Sequence, residues 1–160
     1  MKVKNYKDKI VKIDEIEYIC SKIRDKHKIV TTNGCFDILH IGHIEYLQSA
    51  SEYGDILIVG INSDDSVKIL KGEHRPVNNE DSRASIVSCL GFVDYSVIFS
   101  EDTPIEFLQR VRPHIHIKGG DYKNKELPEK KVVEEYGGIV KILPHYQGFS
   151  TTNIIEKIMK

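Results

Sequence analysis

Residues 32–43 read T-N-G-C-F-D-I-L-H-I-G-H, and no other stretch constrains the fold of this chain as tightly. The apolar pair Ile29-Val30 runs into Asn33-Gly34, so the segment opens as a buried strand that stops at a tight turn. Asp37, His40 and His43 follow, with Gly42 between the two imidazoles. Gly42 has no Cβ, so a ligand or the backbone can come close there. Beyond it, Ile44, Leu47 and Ala50 recur at helical spacing with polar residues between them. A strand, a glycine turn and a helix start bearing two histidines make a seat for anionic phosphate. Free N–H groups and the positive end of the helix dipole converge on the same point.

The rest of the chain repeats this plan in type, not in sequence. Runs rich in β-branched residues at 28–32, 55–61, 95–99, 115–118 and 139–143 read as strands buried on both faces. Helical patterns lie between them at 13–26, 42–53, 79–90, 104–111, 129–136 and 152–159. Thr103-Pro104 reads as an N-cap followed by proline at the first helical position, and Gly137-Gly138 as a helix end. Alternating β and α predicts a Rossmann-like three-layer α/β/α fold: a five-stranded parallel sheet with right-handed crossovers and helices on both faces. Ligands of such sheets sit beyond the carboxyl ends of the strands, at the topological switch point.

Composition narrows the functional classes. A chain of 160 residues suits one domain, here 1–160, able to bury about two thirds of its unfolded surface. The formal net charge of −1 gives no electrostatic case for nucleic acid as the main partner. No apolar stretch approaches the ~20 residues of a membrane helix. The opening M-K-V-K-N-Y-K-D-K leads into no long apolar run, which predicts no secretory signal. Cys20, Cys35 and Cys89 are odd in number and widely spaced, as expected of reduced thiols in a cytoplasm. Cys35 lies inside the first motif, where it reads as a small filler residue rather than a nucleophile.

Three further motifs follow strands. Asn62 and Ser63, in G-I-N-S-D-D, either hydrogen-bond a ligand or cap a short helix over 64–70. The stretch K-I-L-K-G-E-H-R-P-V brings Lys68, Lys71 and Arg75 onto a glycine-containing segment, a means of holding polyphosphate or merely a solvated basic loop. Arg83 on the next helix reads, taken by itself, as an exposed helical arginine. In I-K-G-G-D-Y, the pair Gly119-Gly120 permits close backbone approach by a base or ribose, and a plain turn would use it too. In G-F-S-T-T-N, Ser150, Thr151 and Thr152 open the last helix; one suffices for a cap, and three also offer donors to phosphate. The alternating pair His114 and His116 has neither cysteine nor carboxylate nearby, so no zinc site is read there, and no protein metal ligand is named.

H-I-G-H resembles the HxGH signature of the nucleotidyltransferase superfamily. Together, T-N-G-C-F-D-I-L-H-I-G-H, R-P-V-N, I-K-G-G-D-Y and S-T-T-N-I-I look like the D-glycero-β-D-manno-heptose 1-phosphate adenylyltransferases, stand-alone or as the C-terminal domain of a bifunctional kinase/adenylyltransferase. The resemblance covers almost the whole chain and leaves no room for the sugar kinase. It implies transfer of AMP from ATP to a sugar 1-phosphate, with His40, His43 and Lys71 as catalytic residues. It assigns Gly34, Cys35, Phe36, His40, Gly42, His43, Lys118, Gly119, Gly120, Asp121, Ser150, Thr151 and Thr152 to the nucleotide. Asp37, Asn62, Arg75 and Arg83 go to the acceptor. Mg²⁺ is expected on the phosphates, keeping its waters, and a homodimer is expected as the assembly. Glycerol-3-phosphate cytidylyltransferases are similar in size and motif order, but usually carry arginine where this chain has His145 and G-D-D-W where it has Gly119-Gly120-Asp121-Tyr122. A non-catalytic nucleotide-binding module on the same fold is the other alternative.

Overall fold

Five short aliphatic strands pair, all in parallel, into one sheet of order β3-β2-β1-β4-β5. The strands are β1 (Ile29–Gly34), β2 (Ile56–Asn62), β3 (Tyr95–Phe99), β4 (Ile115–Gly119) and β5 (Ile139–Leu143). The helices are α1 (Ile13–Ile23), α2 (Ile41–Ser51), α3 (Asp64–Lys71), α4 (Glu80–Ser88), α5 (Ile105–Val111), α6 (Pro128–Glu135) and α7 (Thr151–Ile158). This computed structural model describes residues 5–120, 127–144 and 148–160. Asp121, Tyr122 and His145, singled out in the sequence, lie outside the described residues.

The period-two alternation of the strands sends side chains into two cores. Val30, Leu57, Val59, Ile61, Ile115 and Ile117 pack against Leu47 and Ala50 of α2 and Ala84 and Val87 of α4. Ile29, Ile58, Val97 and Phe99 pack on the other face against Ile16 and Cys20 of α1, Phe107, Leu108 and Val111 of α5, and Val133 of α6. Each such valine, leucine, isoleucine or phenylalanine contributes about 1.5–3 kcal/mol by leaving water, before the cost of ordering it. Helices therefore cover both faces, as the alternation predicts, and the fold is Rossmann-like. From β1 the chain builds outward to β2 and β3, then crosses back to add β4 and β5 on the other side. The switch point lies between β1 and β4, where Thr32 pairs with Ile117.

Two local expectations need correction. β5 is not buried on both faces: Ile139 and Ile142 are exposed, because β5 is an edge strand and α7 buries no residue of its own. The cap of α5 is Pro104 itself, with no side-chain cap bond, so Thr103 is left to face the cleft described below. The N-terminal segment also does more than lead into α1. Ile10 bridges Ser96 at the free edge of β3, and Val11 donates to the Ser96 carbonyl at 3.0 Å. Lys9 donates to the carbonyls of Leu90 at 3.1 Å and Val93 at 2.8 Å. That covers part of an otherwise open sheet edge.

Candidate active site

The loops after β1, β2 and β4 and the start of α7 surround a cleft of about 570 Å³ at the switch point. This volume suits a nucleotide-sized ligand. The T-N-G-C-F-D segment forms its floor. Phe36 adopts a left-handed φ of 46°, costly for a residue with a Cβ. Its ring folds back over Gly34, where a Cβ would lie 3.0 Å from Phe36 Cε2, and meets the His43 ring edge-on at 5.4 Å between centroids. Gly34 is thus needed for the aromatic ring it receives.

His40 is the N-cap of α2, and its side chain makes no capping bond; its carbonyl accepts from the His43 N–H at 2.9 Å. The His40 and His43 rings stack with centroids 3.8 Å apart and planes 23° from parallel. Both line the cleft, and the Nδ1 atom of each is buried. A Cβ on Gly42 would lie 3.1 Å from His40 Nδ1 and 3.3 Å from the Cβ of Phe149. Glycine between the histidines therefore lets the imidazole lie down against its own helix start.

Phe149, Ser150, Thr151 and Thr152 line the same cleft, Phe149 beside Gly42. Ser150 caps α7 by accepting from the Asn153 N–H at 3.0 Å, and Thr151 Oγ1 donates to the Ile38 carbonyl at 3.3 Å. The capping reading thus holds for Ser150, and the α7 N-terminus opens onto the same space as the imidazoles. Lys71 ends α3 on the cleft rim, exposed, and Arg75 follows on the next loop.

Asp37 serves that loop. Its carboxylate accepts from Arg75 Nε at 2.6 Å and from the backbone N–H groups of Val77 at 2.8 Å and Asn78 at 2.9 Å. Burial alone would raise its pKa, but the hydrogen bonds from Asn78, Val77 and Arg75 outweigh it and hold the carboxyl below its ordinary value. Although Asp37 lines the cleft, three donors already occupy its oxygens, which makes it a clasp for the basic loop. Arg83 is not the exposed helical arginine that spacing allows. It is fully buried and absent from the cleft lining, donating to the carbonyls of Asn78 at 2.9 Å and Cys35 at 2.6 Å and to Asp64 at 2.8 Å. It pins the first motif, the basic loop and the start of α3 together. Burial pushes the Cys35 thiol up, more than the neighbouring Lys71, Arg83 and Arg75 charges pull it down, so it stays protonated.

Asn62 is buried in the cleft wall and donates to Ser66 Oγ at 2.9 Å, while Ser63 caps α3. Lys118 and Gly119 line the cleft; Gly120 does not. Three residues escaped the sequence reading. Tyr46 shares a 2.7 Å hydrogen bond with Thr32 and donates to the Ile117 carbonyl at 3.1 Å, tying α2 to β1 and β4. Its place one turn beyond His43 was the available signal. Asn33 and Glu129 meet at Lys118, and nothing local marks Glu129. The histidines beside and within the start of β4 are structural: His114 Nδ1 accepts from the Ile29 N–H at 2.9 Å, and His116 Nδ1 meets Thr31 Oγ1 at 2.9 Å. Among the described residues, no group of three or more His, Cys, Asp or Glu is placed to hold a metal. No helix among them is long and apolar enough to cross a membrane.

Residues 31–157 match the model of the cytidylyltransferase-like family. The chain is 51% identical over 96% of its length to the bifunctional protein HldE of Campylobacter concisus, covering 32% of that protein. It is 50% identical over 99% of its length to the bifunctional protein HldE of Geobacter metallireducens, covering 31%. The chain thus spans about a third of these relatives. Among solved structures, a lipopolysaccharide core biosynthesis protein of Thermoplasma volcanium superposes with a TM-score of 0.63 at 32% identity, over 75% of this chain and 97% of that one. The pantoate-beta-alanine ligase of Francisella tularensis, complexed with beta-gamma ATP and beta-alanine, shares the fold at 19% identity and a TM-score of 0.66, over 91% of this chain and 72% of that one.

Proposed function

The chain belongs to the cytidylyltransferase-like family, and on that premise we propose that it transfers the adenylyl group of ATP to a sugar 1-phosphate, giving ADP-sugar and pyrophosphate. The acceptor we assign is D-glycero-β-D-manno-heptose 1-phosphate, on the motifs that resemble heptose adenylyltransferases and on the identity of about half to the HldE proteins. One observation carries the reading: two stacked imidazoles at a helix N-terminus and a second, hydroxyl-bearing helix N-terminus line one cleft of nucleotide size. Residues 1–160 constitute one nucleotidyltransferase domain in this reading.

In the reaction an acceptor phosphate oxygen forms a bond to the α-phosphorus in line, while the bond from that phosphorus to the bridging β-phosphate oxygen breaks. The electron pair leaves on pyrophosphate. Such a step needs positioning and charge stabilisation more than covalent help from the protein. His40 and His43 donate to the α-phosphate oxygens as charge grows there. Ser150, Thr151 and Thr152 at the α7 start, with Lys71, receive the departing pyrophosphate. Gly34, Phe36, Gly42 and Gly119 shape the floor beneath the nucleotide. Arg75, steadied by Asp37, presents its guanidinium to the acceptor phosphate, and Arg83 acts from beneath by fixing the Cys35 carbonyl. Magnesium accompanying the triphosphate would supply positive charge to its phosphates; Asp37 is not assigned to it, since its oxygens accept from three N–H donors. A nucleoside triphosphate substrate places the reaction in the cytoplasm. Homodimeric assembly belongs to the same proposal, and light scattering reads it as one chain or two.

The test is pyrophosphate release with each nucleoside triphosphate against heptose 1-phosphate and glycerol 3-phosphate. Turnover with ATP and the heptose phosphate supports the proposal. Turnover with CTP and glycerol 3-phosphate keeps the chemistry and overturns the substrates. Nucleotide binding without release under any pairing favours a non-catalytic module.

A further inference from the structure

On the cleft wall away from the imidazoles, Lys118 Nζ lies 2.9 Å from Asn33 Oδ1 and 2.7 Å from Glu129 Oε1. Lys118 is 5% exposed and Glu129 3%, yet all three residues line the cleft. Asn33 and Lys118 end neighbouring strands, on the face covered by α6, and Glu129 comes from the first turn of α6. An ammonium group only donates. Asn33 must therefore turn its carbonyl oxygen toward Lys118 and its NH₂ group away. Glu129 spends Oε1 on the same ammonium, which leaves Oε2 as the oxygen it can turn to a ligand.

A buried ion pair contributes little net stability compared with apolar residues of the same volume, so packing alone does not account for one at this position. Its charge does not suit phosphate either. Lys118 and Glu129 neutralise each other, whereas Lys71, exposed on the cleft rim, pairs with no carboxylate among the described residues and brings positive charge to the other side. What this corner offers is an amide donor and a carboxylate acceptor, both attached to one nitrogen and so close enough to engage adjacent groups. Neighbouring sugar hydroxyls match that pair: one donates to Glu129 while the other accepts from Asn33.

We infer that Asn33 and Glu129, held in place by Lys118, form a subsite that reads a vicinal diol of the ligand. This rests on the adenylyl-transfer reading and deepens it. Two ligands carry such a diol, the ribose of ATP and the ring of the acceptor sugar. The experiment is calorimetric binding of ATP and its 2′-deoxy and 3′-deoxy forms, and of the sugar 1-phosphate and its ring-deoxy analogues. Each is measured on the unaltered chain, on Glu129→Gln and on Asn33→Ala. On the unaltered chain, loss of a hydroxyl that is read weakens binding roughly tenfold or more, as expected for a hydrogen bond to a charged group. In Glu129→Gln the parent ligand weakens by a similar factor and the deoxy form weakens no further. That non-additivity appears on one ligand, and the ligand on which it appears identifies the source of the diol. The Asn33→Ala variant, at a strand end, repeats the test with a smaller disturbance of the core. Deoxy analogues that bind the unaltered chain as tightly as their parents overturn the inference, as do additive losses on both ligands. Failure of the unaltered chain to bind either parent ligand overturns the functional proposal as well, so the two failures are distinguishable.

Discussion

Gly42→Ala separates the architecture of the imidazole pair from the stability of the fold. The added methyl would sit 3.1 Å from His40 Nδ1, 3.2 Å from its Cε1 and 3.3 Å from the Cβ of Phe149, so each neighbour must yield by a few tenths of an ångström. Alanine gains about 1 kcal/mol over glycine inside a helix, and a strained imidazole rotamer costs about 0.5–1.5 kcal/mol. The two nearly cancel, and the melting temperature should move by no more than about 4 °C, the change that ~1 kcal/mol gives a domain of this size. Activity should not cancel. A misplacement of about 1 Å near reacting groups costs about a hundredfold, so a displacement of a few tenths should lower kcat/KM on the order of tenfold, about 1.4 kcal/mol of transition-state stabilisation. The fall should lie in kcat, because the histidines are assigned to charge that develops during the reaction. Steady-state pyrophosphate release alongside a thermal melt provides both numbers. A folded Gly42→Ala protein with unchanged kcat would refute the placement of His40 in the chemistry.

Three other outcomes follow from the same geometry. Arg83→Met leaves the carbonyls of Cys35 and Asn78 without a donor, at about 1–3 kcal/mol each; denaturant unfolding should show a loss of several kcal/mol, and a variant of normal stability with only a raised acceptor KM would instead make Arg83 a substrate contact. The Asp37 carboxyl is held below its ordinary pKa, so its contribution is present above the unfolded-state value near 3.8 and is lost as pH falls through the folded-state value; Asp37→Asn should remove that acid dependence and raise the acceptor KM by freeing Arg75, and an unchanged KM would contradict the clasp. Burial, aided by the Lys118 charge, pushes the His116 pKa down from 6.5 to about 3. Between those two values the unfolded chain binds the extra proton, so stability should fall as pH drops below about 6.5, by up to about 1.4 kcal/mol for each pH unit crossed. His116→Asn should flatten most of this acid limb in urea midpoints, His114 supplying a smaller share in the same direction; an unflattened limb would place the proton elsewhere.

The parts that sequence made legible are those governed by local periodicity. The strand run read at 95–99 coincides with β3 and that at 139–143 with β5, and the helix read at 42–53 is α2, which starts one residue earlier and ends two sooner. Each depends on spacing and on glycine or proline punctuation within a dozen residues. The parts that escaped depend on pairing across long separations. Arg83 looks like a surface residue until Cys35 and Asp64 are brought to it, and Asp37 looks free for ligand until the loop at 75–78 closes on it. Lys118 was legible as a cleft residue, but its partner Glu129 sits in an ordinary acidic first turn that no local rule distinguishes. Exposure of β5 escaped for a related reason: strand composition shows what pairs, not what lies beyond the edge.

The most direct test of the central claim is single-turnover adenylyl transfer by His40→Ala, His43→Ala and the double variant, with ATP affinity measured separately. Neither side chain caps α2, so truncation should leave the helix intact. If the stacked imidazoles stabilise the α-phosphate in the transition state, each single change should lower the transfer rate about 10²–10³-fold, the usual cost of one such donor. The double change should cost less than the product of the two, since the rings act as a unit, and the Kd for ATP should change by only a few fold. Affinity falling by the same factor as the rate would make the histidines ground-state nucleotide ligands and contradict the account.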